Sequence, residues 1–225
     1  MTKTYSHDDT RRLVGILTEA AQTEVLPRFR RLQQDHVRHK SSARDLVTDA
    51  DEAAERFIAA KLSKLHPGAV IVGEEGSTRN PALLNMLVDA ELAFLIDPID
   101  GTRNYVAGLP LFGMMIAVCH RGDVIASAIY DPIGQDCALA VRGEGAWLVS
   151  EAGVTTALKV ANPAPPDDMD GLITTEGLPE PLRSKVNGNL ASLATTASLR
   201  CAAHEYRLLA AGQFHIGFYN NLLPW

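Results

Sequence analysis

The chain has 225 residues, of which 46% are hydrophobic and 21% charged. This excludes a disordered or fibrous polypeptide and leaves ample length for a core. Its formal charge of −6 argues against a nucleic-acid or anionic-membrane partner, because both reward a basic face.

Residues 8–33 fit an amphipathic helix with Leu13, Ile16, Leu17, Ala20 and Ala21 on one face. Residues 33–42 are polar and rich in His, Lys and Arg, and two readings stand: a solvated loop, or a lid beside an acidic site. Leu46-Val47-Thr48-Asp49-Ala50-Asp51 leads into a second amphipathic helix carrying Ala53, Phe57, Ile58, Leu62 and Leu65. Asp49 or Asp51 serves there as its N-cap or contributes a carboxylate to a site. The β-branched run Val70-Ile71-Val72 predicts a strand that ends in the turn Gly73-Glu74-Glu75-Gly76.

A second apolar run, Ala93-Phe94-Leu95-Ile96, ends in Asp97, with Asp100 soon after. Pro98 has no N–H and restricts the residue before it, so the strand is expected to stop at Asp97. Gly101 permits a tight turn that leaves its own N–H and that of Thr102 free to face an anion. Residues 112–119, 123–130 and 136–142 predict a β-meander, with turns at Arg121-Gly122-Asp123 and Asp131-Pro132-Ile133-Gly134. Gly143-Glu144-Gly145-Ala146-Trp147 reads as a further tight turn. The Pro- and Asp-rich residues 162–170 mark a boundary between a site-bearing subdomain, 1–161, and the start of a second, 162–225. Beyond it come a short strand (Leu172-Ile173-Thr174), a helix around 198–211 and a strand over 214–219. Helices and strands interleave, which predicts an α+β protein built in layers.

Cys119, Cys137 and Cys201 form neither a disulfide framework nor a zinc pattern, residues 1–12 lack an apolar signal core, and the apolar residues 106–119 are broken by glycine and proline. The expectation is a cytoplasmic protein with no membrane span.

A D-x-x-D turn alone is usually a solvated surface turn. Here Asp97 and Asp100 are joined by Glu74-Glu75 and by Asp49/Asp51. Parallel neighbouring strands would deliver the first two pairs into one crevice at their carboxyl ends. Carboxylates and the exposed carbonyl of Ile99 are the oxygen ligands that Mg²⁺ prefers, alongside a substrate phosphate. An anionic substrate bound by an acidic protein needs such cations. His66, His120 and His204 are expected to be structural.

Gly73-Glu74-Glu75 followed by Asp97-Pro98-Ile99-Asp100-Gly101-Thr102-x-Asn104-Tyr105 closely resembles the first signature of the inositol monophosphatase family. Leu46-Val47-Thr48-x-x-Asp51, the meander, Ala210-Ala211-Gly212 and the closing Leu223-Pro224-Trp225 extend the resemblance over essentially the whole chain. It implies an α-β-α-β-α layered sandwich and a Mg²⁺-dependent, lithium-sensitive phosphatase of small phosphorylated alcohols, inositol monophosphate by default, commonly a homodimer with two or three metal ions. Fructose 1,6-bisphosphate, 3′-phosphoadenosine 5′-phosphate and histidinol phosphate are the alternative substrates, and a catalytically weak binding or regulatory protein is the alternative of another class.

Carried over by residue, Glu74, Asp97, Asp100 and the Ile99 carbonyl resemble metal ligands, with Asp97 bridging two ions. Glu74 also counts with Thr102 and Asp51 as catalytic, the latter two orienting and deprotonating the attacking water. Glu75 supports the metal shell. Gly101, Thr102 and Asp100 surround the phosphate, and Lys40 resembles the lysine of a mobile loop. Arg200, Ala202 and Tyr219 fall on the substrate wall. Arg200 replaces a common Gly and Tyr219 a Glu of inositol-specific members, as neutral drift or as a change of substrate, with Arg200 then accepting a second phosphate or carboxylate. The family's second signature opens with Trp-Asp, and the sequence stops at Trp225, so the expectation is a fragment of a longer polypeptide.

Overall fold

The computed structural model describes residues 5–40, 45–220 and 222–223; Ser41 and Ser42 of the expected loop, and Pro224 and Trp225 of the closing motif, lie outside the described residues. Ser6 starts the first helix, α1 (His7–Ala20), through a capping box in which its Oγ accepts from Asp9 N–H and the Asp9 carboxylate accepts from Ser6 N–H. Leu13, Ile16, Leu17, Ala20 and Ala21 are all buried, as their spacing requires. The helix is shorter than the expected 8–33. It widens into a π turn over Ala21–Val25, and Arg30 (φ 59°) turns the chain, its Nε donating to Gly108 O at 2.9 Å.

Next come β1 (Val37–His39) and β2 (Leu46–Thr48), an antiparallel pair. The stretch expected to be loop or lid is thus partly a strand. Helix α2 (Asp49–Leu65) follows. Its N-cap is Thr48 rather than Asp49 or Asp51: Thr48 Oγ1 accepts from Ala50 N–H, while Asp51 Oδ2 accepts from Thr48 N–H at 2.8 Å. Its buried stripe is Ala50, Ala54, Ile58 and Leu62, so Ala53, Phe57 and Leu65 flank the core instead of forming its centre.

Strand β3 (Val70–Gly73) runs into the short helix α3 (Glu74–Arg79) and pairs in parallel with β4 (Ala93–Asp100). Contrary to the expectation, Pro98 does not end β4. The pairing with the next strand shifts register between Asp97 and Asp100, so the missing N–H falls in a bulge, where no ladder bond is needed. After α4 (Thr102–Val106), the strands β5 (Gly113–His120), β6 (Asp123–Asp131) and β7 (Asp136–Val141) form the expected meander. Strands β8 (Gly145–Ser150) and β9 (Thr155–Ala157) extend it, giving a seven-stranded sheet ordered β3-β4-β5-β6-β7-β8-β9.

Strand β10 (Asp170–Ile173), helix α5 (Leu182–Leu190), strand β11 (Thr195–Ala197), helix α6 (Ala202–Ala210) and strand β12 (Ile216–Phe218) form the remainder, with a three-stranded parallel sheet ordered β11-β10-β12. Both the final helix and the final strand are shorter than expected, because Arg200 (φ 54°) breaks the helical path before Ala202 and Gly212 (φ 71°) turns the chain after α6.

One face of the large sheet packs Phe94, Ile96, Met114, Ile116 and Ala128 against α1 and α2. The opposite face meets α6, where Gly113 leaves room for Ala203; a Cβ at Gly113 would lie 2.5 Å from that of Ala203. Helix α6 also contacts β12, so it lies between the two sheets. The result is the layered α-β-α-β-α sandwich that the sequence implied. No helix among the described residues is long and apolar enough to cross a membrane.

Candidate active site

The carboxyl ends of β3 and β4 lie side by side because Gly73 pairs with Ile96. Glu74 and Glu75 therefore leave β3 next to the point where Asp97 sits on β4. Asp97 is cross-strand partner to Met115 and is buried, 6% exposed. Its Oδ1 has no hydrogen-bond partner. The Glu74 and Asp97 carboxyls face one another closely enough for each to shift the other. Burial first, and then the charges of Glu74, Asp100 and Asp51, push Asp97 well above the usual carboxylate range. Burial likewise raises Glu74, Glu75 and Asp100.

Asp51 brings a third acidic group from the first turn of α2. One oxygen is committed to the Thr48 cap, and Oδ1 lies 3.3 Å from Thr102 Oγ1. Full burial pushes Asp51 up to about 7 despite its bonds to Thr48. The Thr102 hydroxyl has a single proton and a nearer acceptor, Ile99 O at 2.9 Å. Gly101 adopts a left-handed φ of 83°, and a Cβ there would come within 3.0 Å of Leu111 O and 3.1 Å of Cys201 Cβ, so only glycine fits this turn. Its N–H lies close enough to the Asp100 carboxylate to lower that group's pKa against the effect of burial. Asp100 Oδ2 also accepts from Ala203 N–H at 2.6 Å, which ties it to the start of α6.

Lys40, at the end of β1, reaches into this acidic group. Its ammonium donates to Glu74 at 2.7 Å and to Glu75 at 2.6 Å, and its side chain is only 8% exposed. Among the described residues, Lys40 is the cation paired with this acidic group, through Glu74 and Glu75. Among the described residues no three metal-ligating side chains converge on one point as they stand, and Lys40 holds the cationic position. The donor set nonetheless suits a hard divalent cation: every group is an oxygen, repulsion among them is incompletely offset, and Asp97 Oδ1 is buried without a partner.

Two residues that sequence reasoning missed hold this arrangement. Glu55, one helical turn beyond Asp51, accepts from Glu75 N–H at 2.7 Å and Gly76 N–H at 2.9 Å, capping α3 from outside. Its signal was the Asp51/Glu55 spacing on the buried face of α2. Asn104 donates to both Leu111 O and Leu199 O, anchoring the 199–201 segment to α4.

A cleft of about 210 Å³ opens over Asp97 and Asp100, with Ala202, Tyr206 and Tyr219 among its walls. Of the residues expected on the substrate wall, Ala202 and Tyr219 line this cleft, whereas Arg200 is exposed on left-handed backbone and is not among the lining residues. A larger hollow of about 450 Å³ at the ends of β10 and β11 has no charged lining, whereas Asp97 and Asp100 open onto the smaller one.

The chain resembles known proteins along its length. A protein of Mycobacterium bovis named inositol-1-monophosphatase is 38% identical over 117 residues, 52% of this chain and 40% of that protein. A protein of Xylella fastidiosa named Nus factor SuhB is 31% identical over 180 residues, 79% of this chain and 59% of its own length. The chain thus spans about half the length of these curated relatives. Among solved structures, extragenic suppressor protein suhB from Bartonella henselae superposes with a TM-score of 0.78 at 25% identity, covering 96% of this chain and 80% of that one. Staphylococcal IMPase-I, solved with its products, shares the fold with a TM-score of 0.79 at 20% identity over 98% of this chain and 78% of that one. The sequence profile of the inositol monophosphatase family matches residues 9–225, and with the layered fold this establishes that the chain belongs to the inositol monophosphatase family.

Proposed function

We propose that the protein is a Mg²⁺-dependent phosphomonoesterase acting on a small phosphorylated alcohol. The observation that carries the reading is the meeting of Glu74, Asp97 and Asp100 at adjoining strand ends, with Asp51 against Thr102 on the same side. Glu74, Asp97, Asp100 and the Ile99 carbonyl would hold the metal, and Glu75 would support Glu74. Bound there, divalent ions polarise the phosphoryl group, lower the pKa of bound water and steady the leaving oxygen.

The chain's own residues account for the rest. Thr102 releases Ile99 O and turns its proton toward Asp51, freeing its oxygen to accept from the attacking water. Asp51, raised to about 7, is suited to take that proton near neutral pH. The start of α6 at Ala202, and Thr102 after the Gly101 turn, offer N–H groups to phosphate oxygens. Lys40 stands where a cation would sit, and would have to release Glu74 and Glu75 for a metal to be held there. Inositol 1-phosphate is the reference substrate. A homodimeric, lithium-inhibited enzyme in the cytoplasm completes the reading, checked by sedimentation and by LiCl titration of turnover.

The test is phosphate release by the full-length protein with and without Mg²⁺ on a panel of phosphate monoesters. Turnover that needs Mg²⁺ supports the reading. A second reading, a binding or regulatory role, has one observation in its favour, the Nus factor name of the Xylella relative. Mg²⁺ binding without turnover on any ester would favour it.

A further inference from the structure

Lysine side chains are seldom buried unless they are paired, and that of Lys40 is 8% exposed. Its backbone is placed by the β1–β2 hairpin, whose register sets Val37 against Thr48 and His39 against Leu46, with Lys40 N–H donating to Asp45 O at 2.8 Å. Strand β2 ends on Thr48, the cap of α2, so the hairpin delivers Lys40 on the side of the site that Asp51 occupies. Arg38 fastens the same strand to the exposed side of α2, through Asp49 at 2.6 Å and Glu52 at 3.1 Å. From that anchor the Lys40 stem runs inward, and its ammonium lies 2.7 Å from Glu74 Oε1 and 2.6 Å from Glu75 Oε1. Ordering and burying a lysine costs side-chain entropy and hydration, and these two short pairs offset the cost. A divalent cation held by Glu74 meets the ammonium at close range. The two compete for carboxylate lone pairs, and they repel one another where burial leaves little water to screen them.

We propose that Lys40 is a built-in competitor for the divalent ion: its ammonium and the metal exclude one another at Glu74 and Glu75, so the metal enters only as the lysine leaves. The proposal rests on the metal site of the phosphatase reading and holds whichever ester is hydrolysed. The exchange puts two positive charges in place of one beside Glu74, Asp97 and Asp100, which favours the metal once its concentration is high enough. By linkage, the free energy that the ammonium gains from its two carboxylates is subtracted from metal binding. Lys40 thereby sets the concentration at which the site fills.

The experiment titrates the full-length protein with MgCl2 by calorimetry, as wild type and as Lys40→Met, which keeps an unbranched stem and drops the charge. Mg²⁺ should bind the variant about 10-fold more tightly. A second measurement uses the wild type alone and so stands whether or not the variant folds. It is acetylation by an N-hydroxysuccinimide ester, read residue by residue by mass spectrometry, with and without saturating MgCl2 at equal ionic strength. Labelling of Lys40 should rise several-fold with Mg²⁺, while the exposed Lys64 and Lys159 label alike in both. Equal or weaker Mg²⁺ binding by a folded Lys40→Met, or Lys40 labelling that does not respond to Mg²⁺, overturns the proposal and leaves the phosphatase reading standing. No Mg²⁺ binding to the wild type removes the metal site, and the proposal with it.

Discussion

Asp97 shows how one side chain carries opposed demands. It is buried beside like charges, with one oxygen unpartnered, an arrangement that opposes folding and favours a cation. Asp97→Asn should therefore raise the melting temperature in the absence of divalent ions and lower turnover by about 10³-fold or more. Circular dichroism melts and phosphate release check the two halves, and unchanged turnover would remove Asp97 from the site. Arg200 makes the complementary point. On sequence it was a candidate for a second phosphate or carboxylate, yet the structure puts it at φ 54° with its side chain exposed. Left-handed backbone costs a side-chain-bearing residue about 1–2 kcal/mol, so Arg200→Gly should stabilise the protein by about 1 kcal/mol in urea unfolding. A destabilised variant would mean that the guanidinium makes a compensating contact.

At the scale of elements, the site depends on α3 starting where β3 ends. That helix has no side-chain cap of its own; Glu55 from α2 supplies it across 20 residues of sequence. Replacing it leaves two N–H groups without acceptors, one of them buried, at about 1–3 kcal/mol for the buried group. Glu55→Ala should lower stability by that amount and weaken Mg²⁺ binding in calorimetric titration, because Glu74 is the first residue of α3. Retained Mg²⁺ affinity would show that Glu74 is held by β3 alone. The capping box at Thr48 and Asp51 was legible in the spacing T-x-x-D, but the cap was assigned to the wrong partner because either residue type caps a helix. Strands β1, β2, β8, β9 and β11 and helix α5 went unread: most are very short, and Asn187-Gly188-Asn189 within α5 carries little helix propensity.

At the scale of the molecule, residues 162–168 join two separate sheets and are largely exposed. We place the boundary between subdomains there. Limited proteolysis should cut first in this stretch, and the fragments should stay together without denaturant. Helix α6 holds them: Ala203 packs on Gly113 and Arg207 pairs with Asp131 and Asp136. Fragments that separate on gel filtration would show that this packing is too weak to join the two parts.

Much of the protein was settled along the chain itself. The period-2 meander, the helix stripe at Leu13, Ile16, Leu17 and Ala20, and the glycine that must follow Asp100 are local matters of side-chain spacing and backbone freedom, and sequence displays them directly. The identity of the acidic clusters was equally local. What surrounds each carboxylate was decided only in three dimensions. Lys40 meets Glu74 and Glu75 through the β1–β2 pairing, Pro98 is absorbed by a bulge because β5 shifts register beside it, and Tyr206 and Tyr219 share a wall because α6 and β12 pack together. Burial and long-range pairing set the charge state of a carboxylate and the company of a ring, and neither is a property of neighbouring residues in sequence.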